Sequence, residues 1–174
     1  MYMNSIQLLQ EQFKDAHQAL EATMADVSHD TAHFRELGKA LPVGAAYAHA
    51  ILSEDVMLSN LLAHKETLFK TPESVGVSEA MPDMQHWDQH AMWAQNVQID
   101  MPKFKEFAKK VYTATDEYIS SLKEDDLDKE IDDALFGKHT LAFFITNILL
   151  LHIANLTGEV SAVKGLQGLK GYPF

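Results

Sequence analysis

His152 stands in the middle of the most apolar stretch of the chain, LAFFITNILLLHIANLTGEV, which runs from Leu141 to Val160. On a helix of about 3.6 residues per turn, Ile145, Ile148, Leu149, His152, Leu156, Glu159, Val160 and Val163 share one face, so an imidazole and a carboxylate interrupt an apolar stripe. A polar group placed there needs a partner. Other histidines add to the chemistry on offer. His17 falls on the inner face of a first helix, His49 on a second, and two pairs stand four apart, His29 with His33 and His86 with His90. Neither pair forms an HExxH pattern, so both read as exposed polar residues in connections, although His86 and His90 beside Trp87 and Trp93 can line a pocket mouth. Glu54 and Asp55 read as a solvated pair on the outer side of the second helix. Glu159 reads as a hydrogen-bond anchor rather than a catalytic base. The chain has no cysteine, which excludes a thiolate nucleophile, a disulfide framework and a Cys-ligated zinc or iron–sulfur site. There is no GxSxG elbow, phosphate loop or dinucleotide fingerprint, and the glycines of GLQGLKG follow a helix rather than joining a strand to one.

The elements that must position these residues follow from hydrophobic spacing and capping chemistry. Asn4 or Ser5 can cap a first helix reaching about Val27, and Pro42 opens a second that reaches about His64. Asp100, with Pro102 in the first turn, caps a third to about Leu122, and the fourth covers Leu141 to about Val163. Between Lys65 and Asp100 lies a long crossover with a short helix over Trp87 to Val97. Lys123 to Asp133, KEDDLDKEIDD, reads as a solvated connection, and no strand pattern stands out. Gly165, Gly168 and Gly171 stop the last helix, after which Leu166, Leu169, Tyr172 and Phe174 should pack a short tail back on the body. The 174 residues, 47% apolar, suit a single domain spanning 1–174. The expected fold is all-α, a four-helix bundle with the crossover between helices two and three.

Charge narrows the partners. A net charge of −11 with one arginine, Arg35, offers no basic stripe to displace counterions, so neither nucleic acid nor an anionic membrane surface is an expected partner. The apolar run Leu141 to Leu156 is shorter than the roughly 20 residues of a membrane span and reads as a core helix. The N-terminal stretch lacks the basic and apolar regions of a secretory signal, which makes the cytoplasm the expected location.

The order H-x5-G-E followed by GLQGLKGYPF, together with PVGAAYAHAILSEDVML around His49, resembles the DinB-like (YfiT-like) helical-bundle superfamily. The resemblance implies a DinB-like four-helix bundle, often a homodimer, whose members are described as metal-dependent hydrolases or thiol-dependent transferases and isomerases. It implies metal ligands at His49 and His152, with a third histidine usual four residues after the second. That position is Leu156 here. Two imidazoles hold nickel or zinc weakly unless a third group completes the site, and His17 is the first substitute. The plainer reading is a pair of core histidines satisfied by each other, by Ser53 or by water. Two functions therefore stand side by side: a metal-dependent enzyme of unidentified substrate, or a non-catalytic dimeric bundle that binds a small ligand or a protein partner without metal.

Overall fold

A computed structural model describes residues 3–35, 39–83 and 86–173. Helix α1, Ser5–Thr23, begins where the Asn4 side chain accepts from the backbone N–H of Gln7 while the Gln7 side chain reaches back to the Asn4 N–H. It buries Ile6, Leu9, Phe13, His17 and Leu20 along one stripe. The short α2, His29–His33, is capped by Ser28. Helix α3, Val43–Val56, starts after Pro42, whose fixed φ suits a helix start. Every residue of α3 from Val43 to Asp55 is buried, and a wider π-helical segment, Met57–Leu62, extends it.

The crossover is more structured than a loop. It holds α4, Pro72–Val75, and α5, Trp87–Asn96. Its ends are stitched together, because Ser78 N–H donates to the Gln98 carbonyl and Asp100 N–H to the Gly76 carbonyl. That closure sets α5 against the body. Helix α6, Met101–Ser121, opens on Asp100, whose carboxylate accepts from Lys103 N–H, with Pro102 in the first turn. A 3₁₀ turn, Glu124–Asp128, leads to an antiparallel pair, β1 Glu130–Asp133 and β2 Gly137–Thr140, with Glu130 opposite Thr140. This hairpin corrects the expectation of an irregular acidic connection. Asp133 accepts from the N–H groups of Leu135 and Phe136, and Gly137 takes φ +79° to close the turn. Its charged composition conceals the alternation by which strands are recognised.

The last helix, α7, covers Leu141–Leu166, with Thr140 as its cap. The chain is thus mostly helical with one small sheet. Helix α3 packs against α7, α2, α6 and α5, and α1 packs against α7 and α6. The core between them is filled by Leu20, Tyr47, Ile51, Phe104, Phe144 and Ile153, all essentially without exposure.

Within α7 the segment Phe144–Leu150 is π-helical, turning roughly 80° per residue where an α-helix turns about 100°. Five such steps after Ile145 rotate everything downstream by about 90° relative to a regular helix. The buried face accordingly centres on Ile145, Leu149, Ile153, Thr157, Val160 and Lys164, with Leu156, Ser161 and Val163 buried beside it. Glu159 is exposed, which corrects its reading as a buried-side anchor. His152, expected within the apolar stripe, moves to the flank of the buried face and is half-buried. At 26 residues, α7 is long and apolar enough to cross a membrane by length and composition. The helix expected from Leu141 to about Val163 thus reaches Leu166, and it packs along α1 and α3.

The tail lies on α7. A Cβ on Gly171 would fall 2.6 Å from Ser161 Oγ and 2.8 Å from the Ser161 carbonyl, and one on Gly158 would sit 3.3 Å from the Tyr172 hydroxyl. Two glycines thus admit the close approach that larger residues would block. Leu166 and Tyr172 nevertheless stay 72% and 44% exposed, so the packing expected of the tail's apolar residues does not extend to them. Phe174 lies outside the described residues.

Candidate functional site

Three imidazoles from three separate elements meet beside α3. His49 projects from α3, His90 from α5 and His152 from α7. The His49 and His152 rings are 5.0 Å apart between centroids and nearly perpendicular, and His49 and His90 are 4.4 Å apart. His90 Nε2 and His49 Nδ1 share a hydrogen bond of 2.9 Å. Met81 Sδ at 3.3 Å and Ser53 Oγ at 3.4 Å crowd the same His49 nitrogen. His152 Nε2 is buried with no hydrogen-bond partner among the described residues.

The electrostatics are those of neutral rings. Burial pushes the His49 imidazole down to about 3, with His152 and His90 adding repulsion against a charge. Burial also lowers His90. His152 is lowered chiefly by burial, partly opposed by the negative charge of Glu54 and reinforced by His90. Each ring therefore keeps a lone pair near neutral pH, the form that binds a metal ion. Among the described residues no three His, Cys, Asp or Glu side chains stand as a ready-made metal cage.

His90 is the residue that sequence reasoning passed over. Read as an exposed residue of a connection, it is 2% exposed. The signal was present, since His90, Trp93, Ala94 and Val97 recur at i, i+3, i+4 and i+7 over the helix expected at Trp87 to Val97, and all four are buried. His86 is exposed. His33 receives the Ile99 N–H on its Nε2 at 2.9 Å, so it fastens the crossover to α2.

Glu54 and Asp55 require a larger correction, because each is 1% exposed. A helix enclosed on every side has no outer face to put them on. Asp55 accepts from the N–H groups of Leu68 and Phe69 at 2.9 and 2.8 Å, fixing the start of the crossover. Glu54 accepts from Thr115 Oγ1 at 2.5 Å and contacts His17 Nε2 at 3.0 Å. His17, the substitute third ligand suggested by the sequence, is thus turned to Glu54 and stacked on Tyr112 with 3.9 Å between centroids. No described contact joins it to His49 or His152. Leu156 is buried at 4% exposure.

No protein-family model and no curated protein matches the chain. A solved structure, described as the conserved protein of a locus from Enterococcus faecalis, is similar with a TM-score of 0.76. The match covers 94% of this chain and 99% of that one at 19% identity. Likeness at that level of identity shows a shared fold.

Proposed function

We propose that the chain is a DinB-like four-helix bundle that binds a first-row transition ion through His49, His90 and His152 and acts as a metal-dependent enzyme of the hydrolase or thiol-transferase kind. The observation that carries this reading is the convergence of three neutral imidazoles, two buried and one half-buried, the last of which leaves Nε2 without a described partner. Buried polar atoms are normally satisfied, and three lone pairs brought together are a donor set suited to nickel, zinc or copper. His90 takes the part that Leu156 cannot. To hold an ion, His49 and His90 would have to give up the hydrogen bond between them. Met81 Sδ beside His49 moves the preference toward softer ions. When bound, the ion supplies a Lewis-acid centre with open positions. The protein's own residues exclude water around it and hold the rings in their neutral form.

The test is metal titration of protein purified without an affinity tag. Nickel, zinc and copper are each added to the wild type and to His90→Ala, His152→Ala and His17→Ala. The expected result is one ion per chain, with affinity falling at least tenfold for the first two variants and unchanged for His17→Ala. The second reading is a metal-free homodimeric bundle that binds a small ligand or protein partner, and buried Leu156 favours it. Absence of stoichiometric binding by all three ions selects that reading.

A further inference from the structure

A groove of about 580 Å³ opens between α1 and α6. Its floor is the stacked pair His17 and Tyr112, with the Phe13 ring 5.8 Å from His17. The imidazole is held by these rings and by Glu54. Its Nε2 lies 3.0 and 3.2 Å from the two oxygens of Glu54. Tyr112 is itself fixed, since its hydroxyl donates to Glu21 Oε1 at 2.8 Å, an oxygen that also accepts from Tyr47 at 2.6 Å.

The carboxylate decides the tautomer. An ionised carboxylate only accepts, so a neutral ring facing it carries its proton on Nε2 and its lone pair on Nδ1. Nδ1 has no hydrogen-bond partner among the described residues, and the His17 side chain, 11% exposed, lines the groove. A buried carboxylate is costly to keep in an otherwise apolar helix environment. Here it presents one oriented acceptor atom to a cavity of ligand size.

We infer that this groove is a small-molecule site in which His17, oriented by Glu54, accepts a hydrogen bond from an N–H or O–H of a neutral or cationic ligand. The charge preference follows from the walls. Gln7, Gln10 and Gln18 are neutral, while Glu11 and Asp116 outnumber Lys14, and the chain carries −11 overall. Met3, an exposed residue of the groove wall, supplies an apolar contact for the body of such a ligand. The site does not depend on the metal reading, as His17 makes no described contact with His49, His90 or His152.

Three probes of one shape test it: benzamidine, benzamide and benzoate, titrated to millimolar concentration into the full chain while the His17 ring nitrogens are followed by long-range ¹H–¹⁵N NMR. The expected result is an unprotonated Nδ1 in the free protein, saturable shifts with benzamidine and benzamide, and none with benzoate. His17→Gln should abolish binding, but it strands Glu54 and can prevent folding. Thr113→Trp supplies the second variant, because Thr113 is an exposed wall residue and its replacement fills the groove without touching the buried network. It should weaken both probes at least tenfold while His17 keeps its proton on Nε2 in the free protein. A proton on Nδ1 in place of Nε2, no saturable shift with any probe, or undiminished binding to Thr113→Trp would each overturn the inference.

Discussion

Acidification of the metal-free protein provides the most direct physical test of the histidine cluster. An unfolded histidine titrates near 6.5, whereas His49 in the folded chain is held at about 3 by burial and by its two neighbouring rings. The folded value is the depressed one, so His49's contribution to stability is fully present above about pH 6.5 and is lost progressively as the pH falls toward about 3. At pH 5 the unfolded ring has gained a proton that the folded ring refuses, over about 1.5 units at about 1.4 kcal/mol each, a loss of about 2 kcal/mol. His90 and His152 are lowered too and act in the same direction. The assay is urea unfolding of chelator-treated wild type and His49→Gln at pH 7 and pH 5, in which the non-titrating amide removes this term alone. Wild type should lose about 2 kcal/mol more than the variant between the two pH values, a difference of about 4–8 °C in Tm for a chain of this size. Identical pH dependence of the two proteins, or a His49 ring found protonated at pH 5 by NMR, refutes the reasoning.

The remaining expectations concern the elements that hold the cluster. His90→Ala should abolish nickel binding, and adding Leu156→His, one turn from His152, should restore it in the double variant; titration calorimetry reads both. Asp55→Asn removes one of the two carboxylate oxygens that receive Leu68 and Phe69, and should cost about 1–3 kcal/mol with faster amide exchange at those two residues. Gly171→Ala places a Cβ against Ser161, so the tail should detach and limited proteolysis should remove it faster than in wild type.

Local chemistry was legible in the sequence wherever the structure-forming partner lies within a few residues. The Asn4 and Asp100 caps each bond to an N–H three residues on, and the short helix of the crossover runs over Trp87–Asn96, within a residue of its expected end. The phase of α7 was not legible, because the π segment Phe144–Leu150 is set by what the helix packs on and not by its own spacing. That one departure from regular pitch exposed Glu159 and moved His152 to the flank.

The polar residues of α3 mark the sharper boundary. Periodicity recognises a helix with two faces, and from Val43 to Asp55 this one has none left to solvent. Its polar side chains are satisfied across the fold instead: His49 by His90, 41 residues on, and Glu54 by His17 and Thr115, 37 and 61 residues away. Any pattern confined to α3 leaves such groups looking solvated, since exposure is the cheaper way to satisfy them. The test that distinguishes the cases is whether the rest of the helix can supply a wet side. Ala45, Ala46, Ala48 and Ala50 beside Tyr47, Ile51 and Leu52 leave no polar stripe on which Glu54 could stand. An acidic residue in a helix apolar all round is then a reason to look for its partners on other elements, and at Glu54 those partners lead to His17 and the groove above it.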